Sequence, residues 1–357
     1  MTILLQKTKI AELFLHLNQM KDYLTENRIP LTRIGRVHVP KLILGHLPFV
    51  GESYQGPERN QQYAHRFSDI RNIVKILRVA VQKFGVTAVA VGISADLSPP
   101  EKRLLEAMKE TQHLTGITLG VIPCFQVPLK IKTAPIDFYR KWLTYYLVER
   151  HMTRNDLISK YVRDPILLSM KDWATEFQRT LTLGKPYREE EIHDVWIDYE
   201  RLSKSIHALR NFDIILPEIG SETDFLTLTG RIDLLSTLIT YIRDEIGENL
   251  LLGVHHAGST IPQLIEHGIS VDGYVSPINK LGAMMFPTKK KALEALNNCG
   301  KPVISIKPLA GGRITPRKAL DYVYNEIAAS SCMIGVGSED ETIEDLSTAR
   351  DLLGAAN

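Results

Sequence analysis

Lys301-Pro302-Val303-Ile304-Ser305-Ile306-Lys307-Pro308-Leu309-Ala310-Gly311-Gly312-Arg313 and, after a helical stretch, Ser331-Cys332-Met333-Ile334-Gly335-Val336-Gly337-Ser338 decide the fold. Val303, Ile304 and Ile306 put apolar side chains on both faces of the first run. A strand needs that when helices cover it on both sides. The run ends in a lysine and then a glycine pair. The second run has the same character and ends in Gly-Val-Gly-Ser before an acidic helix start. Strand, glycine loop, helix, strand, glycine loop, helix is the pattern by which a (β/α)8 barrel closes, and the loops after its last two strands commonly hold phosphate. Backbone amides at a helix N-terminus suit an anion. The plainer reading gives the glycines only a turn to make, at positive φ.

Working outward, the same unit recurs. Strands are expected near 42–45, 87–91, 117–122, 213–216, 250–254, 271–275, 302–306 and 332–335, with helical periodicity between them. Eight strands alternating with helices make the chain α/β. Ahead of them, residues 8–26 read as an amphipathic helix within an N-terminal extension 1–30, and residues 31–39 as a short hairpin around Gly35. The loop from His46 to Ser68 is too long for a simple turn, and loops of that length are functional or disordered. The period breaks over residues 123–211. This stretch is helical in pattern and holds all three tryptophans, Trp142, Trp173 and Trp196. It reads as an insertion between strands 3 and 4, placed as a lid over the barrel mouth. For the tryptophans one by one, a place in the insertion's own core is the ordinary reading.

The chain has 357 residues, whereas a plain barrel takes about 250. One barrel domain with additions is therefore expected over 1–357. An apolar fraction of 44% and a charged fraction of 24% are those of a globular protein. A formal charge of +2 gives no reason to expect nucleic acid or an anionic membrane as partner. No apolar run is as long as a membrane span, and the N-terminus has no leader pattern. Cys124, Cys299 and Cys332 have neither metal-type nor disulfide-type spacing, which suits a reducing cytoplasm.

Chemistry in such a barrel sits at the C-terminal strand ends. Those ends carry His46, Asp96, Cys124, Glu218, His255-His256, Ser276 with Asn279, Lys307 and Ser338. Of the two adjacent histidines only one can face inward. Lys307 is the most informative. A lysine there pairs with a carboxylate, binds an anion or moves a proton. His46, Glu218, His255 and Lys307 are the catalytic candidates, against the plainer reading of a Glu218–Lys307 ion pair with two capping histidines. A divalent metal on the histidines and the carboxylate is a further option.

These residues also carry a family resemblance. The stretch Leu31 to Gly45, Gly85-Val86, Asp213-Ile214-Ile215-Leu216-Pro217-Glu218, Ser276-Pro277-Ile278-Asn279, Lys307-Pro308-Leu309-Ala310-Gly311-Gly312 and Gly335-Val336-Gly337-Ser338 with Glu344-Asp345-Leu346 resemble the aldo-keto reductases. Leu252-Gly253-Val254-His255-His256 stands where that family reads Gly-Val-Ser-Asn. The resemblance spans the barrel and leaves out residues 1–30 and the insertion. It implies an NAD(P)-type cofactor across the mouth, held by Gly311, Gly312, Arg313, Gly337, Ser338 and Asn279. It does not bring the family's catalytic tetrad. The aspartate position falls on about Ala90 and the tyrosine on about Ala95. The lysine falls on about Ile122 or Pro123, and the histidine on Glu218. Without that tyrosine nothing donates a proton to a carbonyl oxygen. Glu339, Asp340 and Glu341 stand where a 2′-phosphate needs a base. Three functions stay open: a nucleotide-binding barrel with redox chemistry by other residues; a metal-assisted or lysine-dependent lyase, isomerase or hydrolase on a small polar substrate; and a non-catalytic barrel that binds a ligand or partner.

Overall fold

The computed structural model describes residues 28–354; the helix expected over 8–26 lies outside them. A two-stranded antiparallel hairpin comes first, β1 (Leu31–Ile34) and β2 (Val37–Pro40). Gly35 makes its turn at φ +57, a left-handed conformation open to glycine. Then follow β3 (Leu42–Leu44), β4 (Ala88–Ile93), β5 (Gly120–Phe125), β6 (Leu129–Ile131), β7 (Ala134–Pro135), β8 (Val195–Ile197), β9 (Asp213–Ile214), β10 (Glu218–Ile219), β11 (Leu251–Gly253), β12 (Gly273–Pro277), β13 (Val303–Ile306) and β14 (Ser331–Ile334).

The order β10-β11-β12-β13-β14-β3-β4-β5 is parallel throughout, and β10 pairs back onto β5, which closes a (β/α)8 barrel. The fourth barrel strand is split. β9 pairs with β5 through Asp213 and Ile214. Pro217 has no N–H to give the ladder, though its carbonyl still accepts from Leu251 N–H at 2.8 Å. Pairing resumes at Glu218, which faces Cys124 on one side and Leu251 on the other. The strand expected over 213–216 therefore continues past its proline.

Ile43, Ala88, Ala90, Ile122, Leu216, Leu251, Val275, Ile304 and Met333 fill the barrel interior, and Ile34 and Val39 of the hairpin close its floor. The surrounding helices bury their apolar stripes on the outside. In Ile70–Phe84 these are Ile73, Val74, Leu77, Ala80, Val81 and Phe84. Sequence-local caps start these helices. Asp69 accepts from Arg71 N–H, and Ser98 and Glu101 form a capping box.

Residues 123–211 are not purely helical. β6 lies between β7 and β8 in a small antiparallel sheet. Phe138–Thr153, Ile158–Val162, Trp173–Leu183 and Glu189–His193 are helices of this stretch. Its aromatic rings form a packed group. Trp173 stacks on Phe177 at 4.8 Å, and Trp142 meets Trp173 edge-on at 5.2 Å. The group also reaches the barrel loops, because Trp142 and Tyr161 pack on Phe286. Trp142 and Trp173 are buried, while Trp196 is 41% exposed. So the packing of Trp142 extends beyond the insertion, and that of Trp196 is on its surface.

Trp173 is 1% exposed and its indole N–H donates to the Tyr161 carbonyl at 2.9 Å. Replacing Trp173 with alanine should lower unfolding stability by about 3–5 kcal/mol, measured by urea denaturation. A loss below about 1 kcal/mol would mean that the insertion is not packed as described.

Candidate active site

Lys307 stands at the end of β13 in a left-handed backbone conformation, φ +56. That costs an L-residue with a side chain roughly 1–2 kcal/mol. Its Nζ lies 2.9 Å from His255 Nε2 and 5.0 Å above the Tyr54 ring. Burial and the Lys307 charge push the His255 pKa well below its usual value. The ring is therefore neutral near pH 7, and its Nε2 accepts from the Lys307 ammonium. Among the described residues Lys307 forms no ion pair, so the Glu218–Lys307 pair of the plainer reading gives way to this lysine–histidine contact.

Glu218 lies below them on β10, 6% exposed. Loss of solvent raises its pKa to about 7, against opposing pulls from a Cys124 hydrogen bond and the Lys307 charge. The Cys124 thiol is itself pushed up, by burial first and by the Glu218 charge second. Glycine makes room for the carboxyl. A Cβ at Gly253 would stand 2.5 Å from Glu218 Oε1. Gly92 does the same for His46, whose Nε2 lies 2.6 Å from where that Cβ would be. Burial drives the His46 pKa down to about 4, with Glu101 raising it and Lys307 lowering it. The fold thus joins His255 and Lys307 directly and sets Glu218 and His46 within their electrostatic reach. Asp96 is turned away to an exposed ion pair with Arg201 at 2.8 Å.

A cleft of about 200 Å³ opens above Lys307 and His255. Trp142, Tyr145, Ile166, Leu167 and Met284 make its apolar walls, and Lys141, Ser221 and Tyr54 add polar edges. Its outer wall comes from the insertion. Sequence reasoning passed over Tyr54 and Lys141 here, and the buried Glu149 behind His256; it let only one of His255 and His256 face inward, whereas both line the cleft, because the strand has ended before them. One signal was present. Glu149 lies four residues after Tyr145 and seven after Trp142, on the apolar face of Phe138–Thr153.

The loops after β13 and β14 are already engaged. Arg313 Nη1 donates to the carbonyls of Tyr54 and Ala310, both at 2.9 Å. The Gly337 N–H donates to Glu341 Oε2 at 2.7 Å, and Arg66 donates to the Gly337 carbonyl. Ser338 Oγ accepts from the Glu341 N–H at 3.1 Å. The Tyr63 ring covers Gly337, 2.4 Å from where a Cβ would be, and Tyr54 covers Gly311. The Asn279 amide is closed on Ala283 through both its atoms. Arg313, Gly337, Ser338 and Asn279, four of the six positions expected to hold a dinucleotide, are thus bonded within the chain. For the optional metal, among the described residues no three His, Cys, Asp or Glu side chains are grouped to hold an ion. No helix among them is long and apolar enough to cross a membrane.

No family model matches the sequence, and no curated protein matches it. Solved structures do. One, from Pseudomonas aeruginosa and provisionally assigned as an aldo-keto reductase, is 15% identical over 91% of this chain and 94% of its own, with a TM-score of 0.49. An aldo/keto reductase from Brucella melitensis is 9% identical over 92% and 98%, with a TM-score of 0.46. A Bombyx mori aldo-keto reductase in complex with NADP is 10% identical over 90% and 88%, with a TM-score of 0.43. At such identities and TM-scores this is a likeness of shape and assigns the chain no chemistry. The barrel rests on its own strand pairing.

The raised pKa of Glu218 has a stability consequence with a definite sign. Its folded value exceeds the unfolded one, so the native state holds the extra proton between about pH 4.5 and 7. Stability from this group is therefore lost as pH rises through that window. The Glu218→Gln protein should match the wild type near pH 4 and exceed it by roughly 3 kcal/mol at pH 8. Denaturant titrations across pH measure the difference, and a difference independent of pH would disprove the buried, protonated carboxyl.

Proposed function

We propose that this barrel is an enzyme of the isomerase or lyase type, acting by proton transfer on a small molecule with a carboxylate or carbonyl group. The observation that carries the reading is the 2.9 Å contact between Lys307 Nζ and His255 Nε2 on the wall of the cleft. Lys307 supplies the positive charge that holds an anion or polarises a carbonyl. A ligand anion that takes over the Lys307 hydrogen bond frees the lone pair on His255 Nε2, and that nitrogen of the neutral ring is the base that takes a proton from the adjoining carbon. Glu218 stores or returns a proton near neutral pH, because its pKa stands at about 7. The apolar walls and the insertion exclude water from the reacting atoms. A space of about 200 Å³ suits a molecule of a few carbons and is below the usual range for larger ligands.

A second reading follows the family resemblance. In it a nicotinamide dinucleotide lies across Gly311-Gly312-Arg313 and Gly337-Ser338, and Lys307 and Glu218 serve a non-standard redox reaction. Gly311 and Gly312, at φ +69 and +74, keep the side-chain-free backbone such a ligand approaches. It would require Glu341, Arg313 and the Tyr54–Tyr63 stretch to leave their present partners.

Incubating small 2-oxo acids in D2O and following their C3 protons by NMR tests the first reading. The wild type should exchange them faster than buffer alone, and Lys307→Met or His255→Gln should each slow exchange about a hundredfold or more. Variant rates equal to the wild type would end it. For the second reading, titration with NAD and NADP should give no saturable change in tryptophan fluorescence. Saturable binding that Arg313→Glu removes would restore the nucleotide site.

A further inference from the structure

We propose that His256 is a second polar anchor in the cleft, recognising a hydroxyl or other hydrogen-bond donor on the anionic ligand that Lys307 holds. This rests on reading the cleft as the ligand site. Five side chains among the described residues keep a buried polar atom without a protein partner: Arg59, Tyr199, Thr227, His256 and Ser276. Of these, His256 alone lines the cleft, and the unpaired atom is Nε2. The residue is 1% exposed. Buried polar atoms are nearly always hydrogen-bonded, so an orphan on a ligand cavity marks where a ligand atom belongs.

The rest of the imidazole is held firmly. His256 Nδ1 lies 3.0 Å from Glu149 Oε1, and Glu149 is fully buried. Ser259 Oγ donates to the same oxygen at 2.9 Å, and the Tyr161 hydroxyl donates to the other. A carboxylate only accepts. Glu149 therefore keeps a proton on Nδ1, and in the tautomer that this selects Nε2 carries the lone pair. That lone pair needs a donor. The ring cannot turn away, because Phe286 stacks on it at 4.8 Å and Tyr145 lies 4.3 Å from it. Asp224 fixes the backbone below, accepting from the N–H groups of His255 at 2.8 Å and His256 at 3.3 Å.

The lining of the cleft thus offers a cation at Lys307 and a bare acceptor at His256 among apolar walls. The matching ligand class is a small hydroxy acid, anionic at Lys307 and donating a hydroxyl proton to His256 Nε2. A plain carboxylic acid of the same size would satisfy only Lys307.

Calorimetric titration with two matched pairs, lactate against propionate and mandelate against phenylacetate, tests this. The wild type should bind the hydroxy member of at least one pair about tenfold more tightly. His256→Phe keeps the aromatic packing, so it should erase that preference and leave the plain acid's affinity within about twofold. Lys307→Met should weaken both members. Equal affinities within each pair in the wild type, with Lys307→Met still weakening both, overturn the inference and leave the proposed function standing. A hydroxy preference that survives with both affinities unchanged in Lys307→Met keeps His256 and removes Lys307. No binding by either pair below about 10 mM overturns the inference. Imidazole 15N spectra of the wild type give an independent reading should His256→Phe fail to fold. Nε2 should be unprotonated and shift on adding mandelate, and a protonated Nε2 also overturns the inference.

Discussion

The barrel closes on two residues. β10 is Glu218 and Ile219, and this short strand pairs with β5 on one side and β11 on the other. Closure gives every strand a neighbour on each side, leaving no open edge of backbone N–H and C=O groups. It also fixes where the Glu218 side chain goes. A carboxyl carried by the closing strand is drawn into the mouth and stripped of water, and its pKa rises to about 7 for that reason first. Pro217, just before it, interrupts the ladder and separates this short pairing from β9. The acid of the site is therefore a consequence of how the sheet becomes a ring.

The insertion and the barrel mouth share side chains. Glu149 on Phe138–Thr153 is buried only because His256, Ser259 and Tyr161 each donate to it. Two of those donors belong to the barrel. Removing one partner of such a group leaves a buried acceptor short of a donor, which costs more than the contact contributes. Lys160 makes a second junction, on Asp164 at 2.6 Å and on the Gly282 carbonyl at 2.6 Å. Asp164 in turn accepts from the Met284 N–H at 2.7 Å. These polar junctions, set among stacked rings, hold the outer wall of the cleft in one register over Lys307.

The loops after the last two strands show how local chemistry can be used twice. Free amides at a helix start attract any carboxylate, a bound anion or the chain's own side chain. Glu341, four residues on from Gly337, is close enough to take that place, and Arg59 pairs with it at 3.3 Å. The stretch after β3, expected as a long loop, carries the helix Pro57–Arg66 and supplies the cover through Tyr54, Arg59, Tyr63 and Arg66. The glycines keep the shape expected of them, while the partner is internal.

Much of the architecture was legible in the chain itself. Apolar runs at β3, β4, β11, β12, β13 and β14 announced buried parallel strands, because a strand covered on both faces has no polar side to show. Gly35 marked the hairpin, and the glycines at 311 and 312 marked a left-handed turn, since backbone sterics are local. The ionisable residues pointed to the mouth by their place at the C-terminal ends of the strands. Which of them touch was not local. His255 and Lys307 are 52 residues apart and meet only when β11 and β13 take their places in the ring. Glu149 and His256 are 107 apart, and the pair depends on the insertion folding back over the barrel. The small sheet of β6, β7 and β8 was hidden for the same reason: its pairing joins Lys130 to Trp196 across a long stretch of sequence. Periodicity records the neighbours a residue has along the chain. Pairing, desolvation and the pKa of Glu218 depend on neighbours brought by the tertiary fold, and these only the closed barrel decided.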